Sequence, residues 1–543
     1  MAETPRREFL KLAIAGALAG ASGALDAARA HAESLGPAAP FAPENVLNMA
    51  RGLAKSPFKA PRSTLPDPFN NLTFEQYTSI RRIPGSAIWG DAHGGFALEP
   101  LNRGFIFATP MELNLVEGGQ SQRVLYDRNL YDFGKLQLPA DLGDLGFSGV
   151  RILSGGSSEG WKDAAIFQGA TFFRSLARGQ LYGVSARGLS IRTGDAQGEE
   201  FPLFRALWIE KPSPAADALV IHALLDSTSL TGAFRFTLHA GDTTIIDTEL
   251  TLIARVAVDH VGLGSMAGMY LLGGLDHRRS DDVRQNVYDV TGLQILTGAG
   301  EWIWRPVANR ETLQISAFSD QNPRGFGLLQ RNRNFDSFGD DDAHWELRPS
   351  LWIEPIGDWG DGEVMLLEIP SDSENNDNII AQWRPKSGIK QGGSVSYAYR
   401  QFWCWTPPAH SDGAIVMNSR MGKVGKRWRF DLAAARLIAA AAAAGAGMNA
   451  TGRGLRFLGH QSPRNRWVAA ANLGLPPAET QPAGAEEIVG FSLPIIRGQN
   501  RGRATSSAVP AWSSRAPPAN RLPLCRRSSS RPFCAPRYRC RRK

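Results

Sequence analysis

Helical periodicity is scarce in this chain, and strand-like runs dominate it. Ala218-Leu-Val-Ile-His-Ala-Leu-Leu, Gly232-Ala-Phe-Arg-Phe-Thr-Leu-His, Thr243-Thr-Ile-Ile-Asp-Thr-Glu-Leu-Thr-Leu-Ile-Ala and Ser394-Val-Ser-Tyr-Ala-Tyr-Arg-Gln-Phe-Trp are β-branched or aromatic and partly alternating, and Gly, Asp or Pro bounds them. Alternation at a period of two puts one side of a strand in a core and the other towards solvent. Many short strands separated by turn residues predict an all-β chain built as an antiparallel sandwich or a barrel-like sheet pair. At 543 residues the chain is long for one domain and suits two.

Asp289 to Pro385 carries the clearest chemical signal. It holds six of the fourteen tryptophans, Trp302, Trp304, Trp345, Trp352, Trp359 and Trp383. From Asp336 to Asp377 there are thirteen Asp or Glu and one basic residue, Arg348. Flat aromatic faces beside carboxylates suit a neutral sugar, because pyranose rings present apolar faces to aromatic rings while carboxylates bind hydroxyls or move protons. A Trp-rich core with a solvated acidic loop has the same composition. Trp302 and Trp304 alternate on one strand and share a face, with Glu301 and Ile303 on the other.

The wording of the region is more specific. Val287-Tyr-Asp289 is followed by GEWIWRP from Gly300, SDQNPRGFGLLQR from Ser319, RPSLWIEP from Arg348 and DNIIAQWRP from Asp377. Upstream lie LGFSGVRI from Leu145, FQGATFFR from Phe167, YGVSARGLSI from Tyr182, EEFP from Glu199 and HALLDSTSLTGAFRF from His222. In this order, over roughly Leu65 to Trp405, the segments resemble the periplasmic glucan biosynthesis proteins of the G and D types. That resemblance implies action on a β-1,2-linked glucan backbone. It also implies a large N-terminal β-sandwich followed by a smaller immunoglobulin-like β-sandwich, incomplete in this chain. The domains expected are a leader over 1–32, a glucan-binding or catalytic sandwich over 33–408, a remnant of the second domain over 409–490 and a basic disordered tail over 491–543. Pro407-Pro408 marks the expected junction, since two prolines cannot continue a central strand.

The N-terminus reads Arg6-Arg7, then an apolar Ala/Gly-rich run from Leu12 to Leu25, then Ala30-His31-Ala32. This is the pattern of a twin-arginine secretory signal ending in a small-x-small cleavage site, and the run is too short to span a bilayer stably. It predicts a periplasmic protein, and among the family's members it favours the D type. The net charge of +8 is set by the tail: Arg497 to Lys543 holds thirteen basic residues and no acidic one. The rest carries 47 basic and 52 acidic residues, a net of −5, so no nucleic-acid partner is expected. Resemblance to the family stops near Ala433, where an alanine-rich run from Leu437 to Met448 stands in place of the expected strands; an altered reading frame and a genuine disordered tail both account for it. Of four cysteines, Cys404 lies in an apolar aromatic run and reads as a buried thiol, and Cys525, Cys534 and Cys540 lie in the tail.

A glycosidase needs a proton donor to the leaving oxygen and a base or nucleophile. The resemblance implies Asp377 as general acid and Asp289 as general base, with water activated through an ordered water chain and inversion at the anomeric carbon. The family continues HDSDGL or HDSDRL where this chain has Tyr288-Asp289-Val290-Thr291-Gly292-Leu293, so a histidine and a second aspartate are replaced. Tyr182, Arg187, Glu200, Trp302, Arg305, Trp345, Arg348, Trp352 and Glu374 are the candidate substrate contacts, though each polar one also fits a structural pair. Asp340-Asp341-Asp342 and Asp372-x-Glu374-x-Asn376 lack the glycine and distal glutamate of a calcium loop and read as solvated loops. Gly264-Ser265-Met-Ala-Gly268 is not a nucleophile elbow, and Gly262 to Gly274 lacks the dinucleotide fingerprint. No cofactor and no metal is expected. The expected partner is a β-1,2-glucan polysaccharide, with an inner-membrane glucan synthase and a second copy of the chain as further candidates. Two functions fit: an endo-β-1,2-glucanase controlling backbone length, and a non-catalytic scaffold that holds glucan for the synthase.

Overall fold

The computed structural model describes residues 34–90, 95–139, 142–156, 160–213, 216–275, 282–409, 411, 415–421, 427–433, 455–461 and 467–472. The leader expected over 1–32, the alanine-rich run and the basic tail lie outside these residues.

The described chain is built mostly of strands, as the patterning predicts. The larger sheet has twelve of them. In spatial order they are Ala39–Pro40, Gln120–Arg123, Glu112–Glu117, Leu203–Glu210, Leu219–Asp226, Leu230–His239, Thr244–Ala254, Ser394–Cys404, Ser350–Ile356, Gly325–Leu329, Gly292–Leu296 and Trp302–Pro306. The second sheet runs Gln314–Gln321, Asp361–Glu368, Ile379–Pro385, Val261–Gly268, Ser185–Arg187, Phe172–Ser175, Gly160–Gln168, Phe147–Gly156 and Phe96–Asn102, with Ser190–Ile191 also paired to Val261–Gly268. Nearly all neighbours are antiparallel; Leu203–Glu210 beside Glu112–Glu117 is a parallel pair.

The two sheets pack face to face. Phe234, Phe236 and Leu238 alternate inwards from the larger sheet, and Phe236 meets Phe167 and Phe173 of the second sheet edge-on at centroid distances of 5.3 and 5.4 Å. One continuous core includes Leu293, Phe326, Leu328, Leu351 and Trp403 from the larger sheet and Ile152, Leu263, Met266 and Trp383 from the second. Truncating any one of these large side chains to alanine removes about 2 to 5 kcal/mol, because the void left behind is not refilled. Cys404 ends one of the core strands. Burial pushes its thiol up to about 12, despite nearby Arg333, so it is an inert thiol.

Helix Pro43–Ala54 was not apparent in the strand-dominated pattern. Pro43 opens it, and Val46 and Ala50, four residues apart, bury one face against Val116, Ala206, Trp208, Leu224 and Ile253 on the outer side of the larger sheet. The glycine-rich stretch beginning at Gly262 forms a central strand, wholly buried. Gly264 sits at φ +54, and a Cβ there would press on Phe326 and Ile353 at 3.2 Å.

After Pro407-Pro408 a separate four-stranded antiparallel sheet runs in chain order through Ile415–Met421, Arg427–Ala433, Leu455–Gln461 and Trp467–Asn472. Strands therefore resume beyond the alanine-rich run. Among the described residues no helix is long and apolar enough to cross a membrane.

Candidate functional site

Asp377 lies two residues before strand Ile379–Pro385 of the second sheet, and its side chain is 17% exposed. Arg174 Nη2 and Ser185 Oγ both donate to its Oδ2, each at 3.1 Å. Both donors come from neighbouring strands of the same sheet, Phe172–Ser175 and Ser185–Arg187. The next residue is a clamp: Asn378 Oδ1 accepts from Tyr270 N at 2.8 Å, and Asn378 Nδ2 donates to Tyr270 O at 3.0 Å.

Asp289 is almost fully buried, and it is held by the residue preceding that same tyrosine. Met269 N donates to Asp289 Oδ1 at 2.6 Å, and Asp289 N donates to Met269 O at 3.0 Å. Asp289 and the residue after Asp377 are therefore anchored to the adjacent residues Met269 and Tyr270, just past the end of strand Val261–Gly268. Gly268 completes the fit, since a Cβ there would stand 3.0 Å from Asp289 Oδ1 and 2.8 Å from Val290 Cγ1.

The residues that depart from the family's wording take specific places. Tyr288 stacks on Tyr270 with ring centroids 5.0 Å apart and 6° between planes, and its hydroxyl accepts from Asn332 Nδ2 at 3.1 Å. Burial pushes this phenol up to about 12. It stays protonated at neutral pH, where a histidine would titrate. Thr291, at the position of the second aspartate, donates to Leu329 O at 2.8 Å and accepts from Arg331 N at 3.2 Å.

A separate network of polar contacts includes Glu374, three residues before Asp377. Arg348, buried, donates to the carbonyls of Tyr182 and Ala343, and its guanidinium lies 5.2 Å from the Trp345 ring centroid. Trp345 Nε1 donates to Asp340 Oδ2 at 3.2 Å. Arg284 joins Asp340 at 2.9 Å, Glu374 at 2.7 Å and Asp282 at 2.5 Å. Burial pulls the Arg284 guanidinium down, but its hydrogen bonds to those three carboxylates hold it above the ordinary arginine range. Asp340 is thus a buried ion-pair partner, which corrects the solvated-loop expectation for it; Asp341 and Asp342 are exposed. Tyr182 is buried, its hydroxyl meets no hydrogen-bond partner among the described residues, and burial raises it well above the usual tyrosine range.

The structure thus joins Tyr182, Arg348 and Trp345 through hydrogen bonds and ring contact, joins Trp345 to Glu374 through Asp340 and Arg284, and links the Asp289 segment to the Asp377 segment through Met269–Tyr270. Arg305 is connected from further off: it donates to Glu368 at 2.8 Å, and Glu368 is the cross-strand partner of Ile379. Arg187 pairs with Glu199 and lies 4.6 Å from the Phe172 ring centroid. Glu200 accepts from Ser229 N at 2.8 Å and from Ser229 Oγ at 2.5 Å. Trp302 and Trp352 stack on each other 6.0 Å apart on the side of the larger sheet that faces away from the sandwich core, with Trp304 on the same side as alternation requires. Sequence reasoning missed Arg174, Ser185, Arg284, Asn378 and the Met269–Tyr270 anchor. Arg174, Ser185 and Asn378 stand inside the quoted motifs, but only the fold shows what they touch.

The model of the periplasmic glucan biosynthesis protein MdoG matches residues 41–451. Glucans biosynthesis protein G of Shewanella sp. strain ANA-3 is 43% identical over 387 residues, covering 70% of this chain and 71% of its own. The protein of that name from Rhodopseudomonas palustris strain BisA53 is 44% identical over 385 residues, 71% of this chain and 76% of its own. The one from Vibrio cholerae strain O395 is 42% identical over 387 residues, 70% and 71%. These relatives carry the G name, which corrects the D-type expectation drawn from Arg6-Arg7: a leader outside the matched region does not report on the body. On these matches the chain belongs to the periplasmic glucan biosynthesis protein family.

Proposed function

We propose that this protein is an inverting endo-β-1,2-glucanase that sets the backbone length of a periplasmic glucan, with Asp377 as general acid and Asp289 on the water side. The observation that carries the reading is the common anchor: Met269 binds the Asp289 carboxylate and Tyr270 binds Asn378, the residue after Asp377, so one dipeptide ties together the two segments that carry the aspartates. An inverting enzyme needs two carboxyl groups held apart with room for water. Tyr288 and Thr291 replace the family's histidine and aspartate, so water on the Asp289 side is organised by a neutral phenol and a hydroxyl. Purified protein incubated with linear β-1,2-glucan should release shorter oligosaccharides, whose anomeric configuration, followed early by NMR, is inverted. Absence of any shortening, with glucan still bound, would replace this reading by the scaffold one. One feature of Asp377 favours that second reading: Arg174 and Ser185 donate to its Oδ2, as donors gather around an ionised carboxylate.

The same reading places a leader over 1–32, a catalytic sandwich over 33–408 and a remnant of the immunoglobulin-like domain over 409–490, with glucan as ligand and a membrane glucan synthase as a partner. Export follows the twin-arginine route, on the strength of Arg6-Arg7 before a weakly hydrophobic run. Replacing both arginines by lysine should leave the precursor in the cytoplasm; normal periplasmic accumulation of that variant would exclude the route.

A further inference from the structure

A general acid must carry its proton when substrate arrives, yet Asp377 lies against a permanent cation. Arg174 Nη2 meets its Oδ2 at 3.1 Å, and Arg174 Nε donates to Gly183 O at 3.3 Å, so the guanidinium is held from both sides. A cation at this distance favours the ionised carboxylate and makes the carboxyl give up its proton more readily. Ser185 acts differently. Its hydroxyl has one hydrogen and two acceptors within reach, Asp377 Oδ2 at 3.1 Å and Ala267 O at 3.2 Å. With Asp377 ionised, that hydrogen points to the carboxylate. With Asp377 protonated, the carboxyl donates to Ser185 Oγ and the serine hydrogen turns to Ala267 O. Both charge states keep a hydrogen bond on this side, and one hydroxyl rotation separates them.

Both members of the pair reach solvent: the Arg174 side chain is 24% exposed and that of Asp377 17%. Charged groups on the surrounding elements have partners of their own. Glu374, on the Asp377 segment, is bonded by Arg284 at 2.7 Å. Arg187, on the strand of Ser185, pairs with Glu199. Asp163, on the strand beside that of Arg174, joins Arg151 at 2.5 Å. Asp289 accepts from Met269 N at 2.6 Å.

We propose that Arg174 and Ser185 are positioning residues that set when Asp377 holds its proton, Arg174 favouring release and Ser185 accommodating both states. This role rests on the reading of Asp377 as the general acid, and it gives the enzyme a preference for acidic conditions. In the reaction the Asp377 proton passes to the leaving oxygen as the C–O bond breaks. Water adds to the anomeric carbon, and its proton passes to Asp289. Asp377 is then an anion facing Arg174, and the serine hydrogen turns to it. Asp289 returns its proton to solvent, and Asp377 takes one back.

The dependence of kcat/KM on pH, measured for the full chain on linear β-1,2-glucan, tests it. The high-pH limb reports the acid, because activity is lost as Asp377 gives up its proton, and the low-pH limb reports the base. A cation makes that proton leave at lower pH, so removing it moves the high-pH limb upwards. Arg174→Gln should move the limb up by about one pH unit, the low end of the usual effect of an adjacent guanidinium, because both groups are partly exposed. Arg174→Lys keeps the charge and should leave the limb in place. Ser185→Ala removes a partner of both charge states, so kcat should fall by about threefold to tenfold, the usual worth of one hydrogen bond, while the limb moves much less than in Arg174→Gln. Melting curves like that of the wild type are required of all three variants. A limb that stays in place in Arg174→Gln, or moves as far in Arg174→Lys, overturns the role of Arg174 and leaves the assignment of Asp377 standing. If Asp377→Asn cleaves as fast as wild type, the assignment itself falls and this role with it.

Discussion

Replacing Asp377 by asparagine is expected to lower hydrolysis of linear β-1,2-glucan by about a hundredfold to ten-thousandfold, the usual contribution of general acid catalysis, with glucan binding retained. Asparagine preserves the shape of the side chain and can still accept from Arg174 and Ser185, so the surrounding strands should not move. What it cannot do is deliver an acidic proton to the leaving oxygen. Substrates with an activated leaving group need less protonation, so the variant's deficit should shrink on an aryl β-glucoside-type substrate. Equal cleavage of the glucan by variant and wild type would exclude Asp377 as the acid. Asp289→Asn should also slow the reaction. Its effect should be smaller if Tyr288 and Thr291 already carry part of the water's organisation.

Replacing Arg284 by alanine should have the next largest effect, through stability as well as rate. Arg284 is the cation among Asp282, Asp340 and Glu374, and its side chain is only 17% exposed. Removing one partner of a buried ion pair typically costs about 3 to 5 kcal/mol, because the charge left behind has lost both water and its counterion. Here three carboxylates are left facing one another, so the urea midpoint should fall clearly. The variant should regain part of its stability as the pH is lowered towards the carboxylate range near 4, where protonation relieves the repulsion. Arg284 also ties the segment leading to Asp289 to the segment leading to Asp377. Loosening both should reduce kcat by about tenfold to a hundredfold, the cost of misplacing reacting groups by about an ångström. KM should change less. Arg284→Lys restores the charge without the planar fork and should recover stability more than rate. Unchanged urea midpoint and unchanged kcat in Arg284→Ala would refute the positioning role.

Much of the candidate site was legible in the motifs because they are local words. DNIIAQWRP contains Asp377 and its clamp Asn378, FQGATFFR ends on Arg174, and YGVSARGLSI contains Tyr182 and Ser185. What joins them is not local. Arg174 and Asp377 are 203 residues apart, and Tyr270 and Asn378 are 108 apart. The tryptophans show the converse. Trp302 and Trp352 stand in the most family-like part of the chain, yet they stack on the outer side of the larger sheet, because alternation assigns a residue to a face without saying which face the site is on. Asp340 reads as one of three loop aspartates, and only the approach of Arg284 and Trp345 makes it a buried ion-pair partner.

The sequence by itself determined the all-β class, the sandwich and the family, and it nominated the two aspartates, because period-two patterning and short motifs are properties of neighbouring residues. Tertiary structure alone decided that Met269 holds Asp289 while Tyr270 holds Asn378 beside Asp377, that Arg284 locks the loops leading to the two aspartates, and that strand Ile415–Met421 walls a cleft beside Tyr288. Those relations depend on which strands become neighbours. Strand pairing is settled by the summed burial of both sheets and the register of every ladder, and no single segment carries that information.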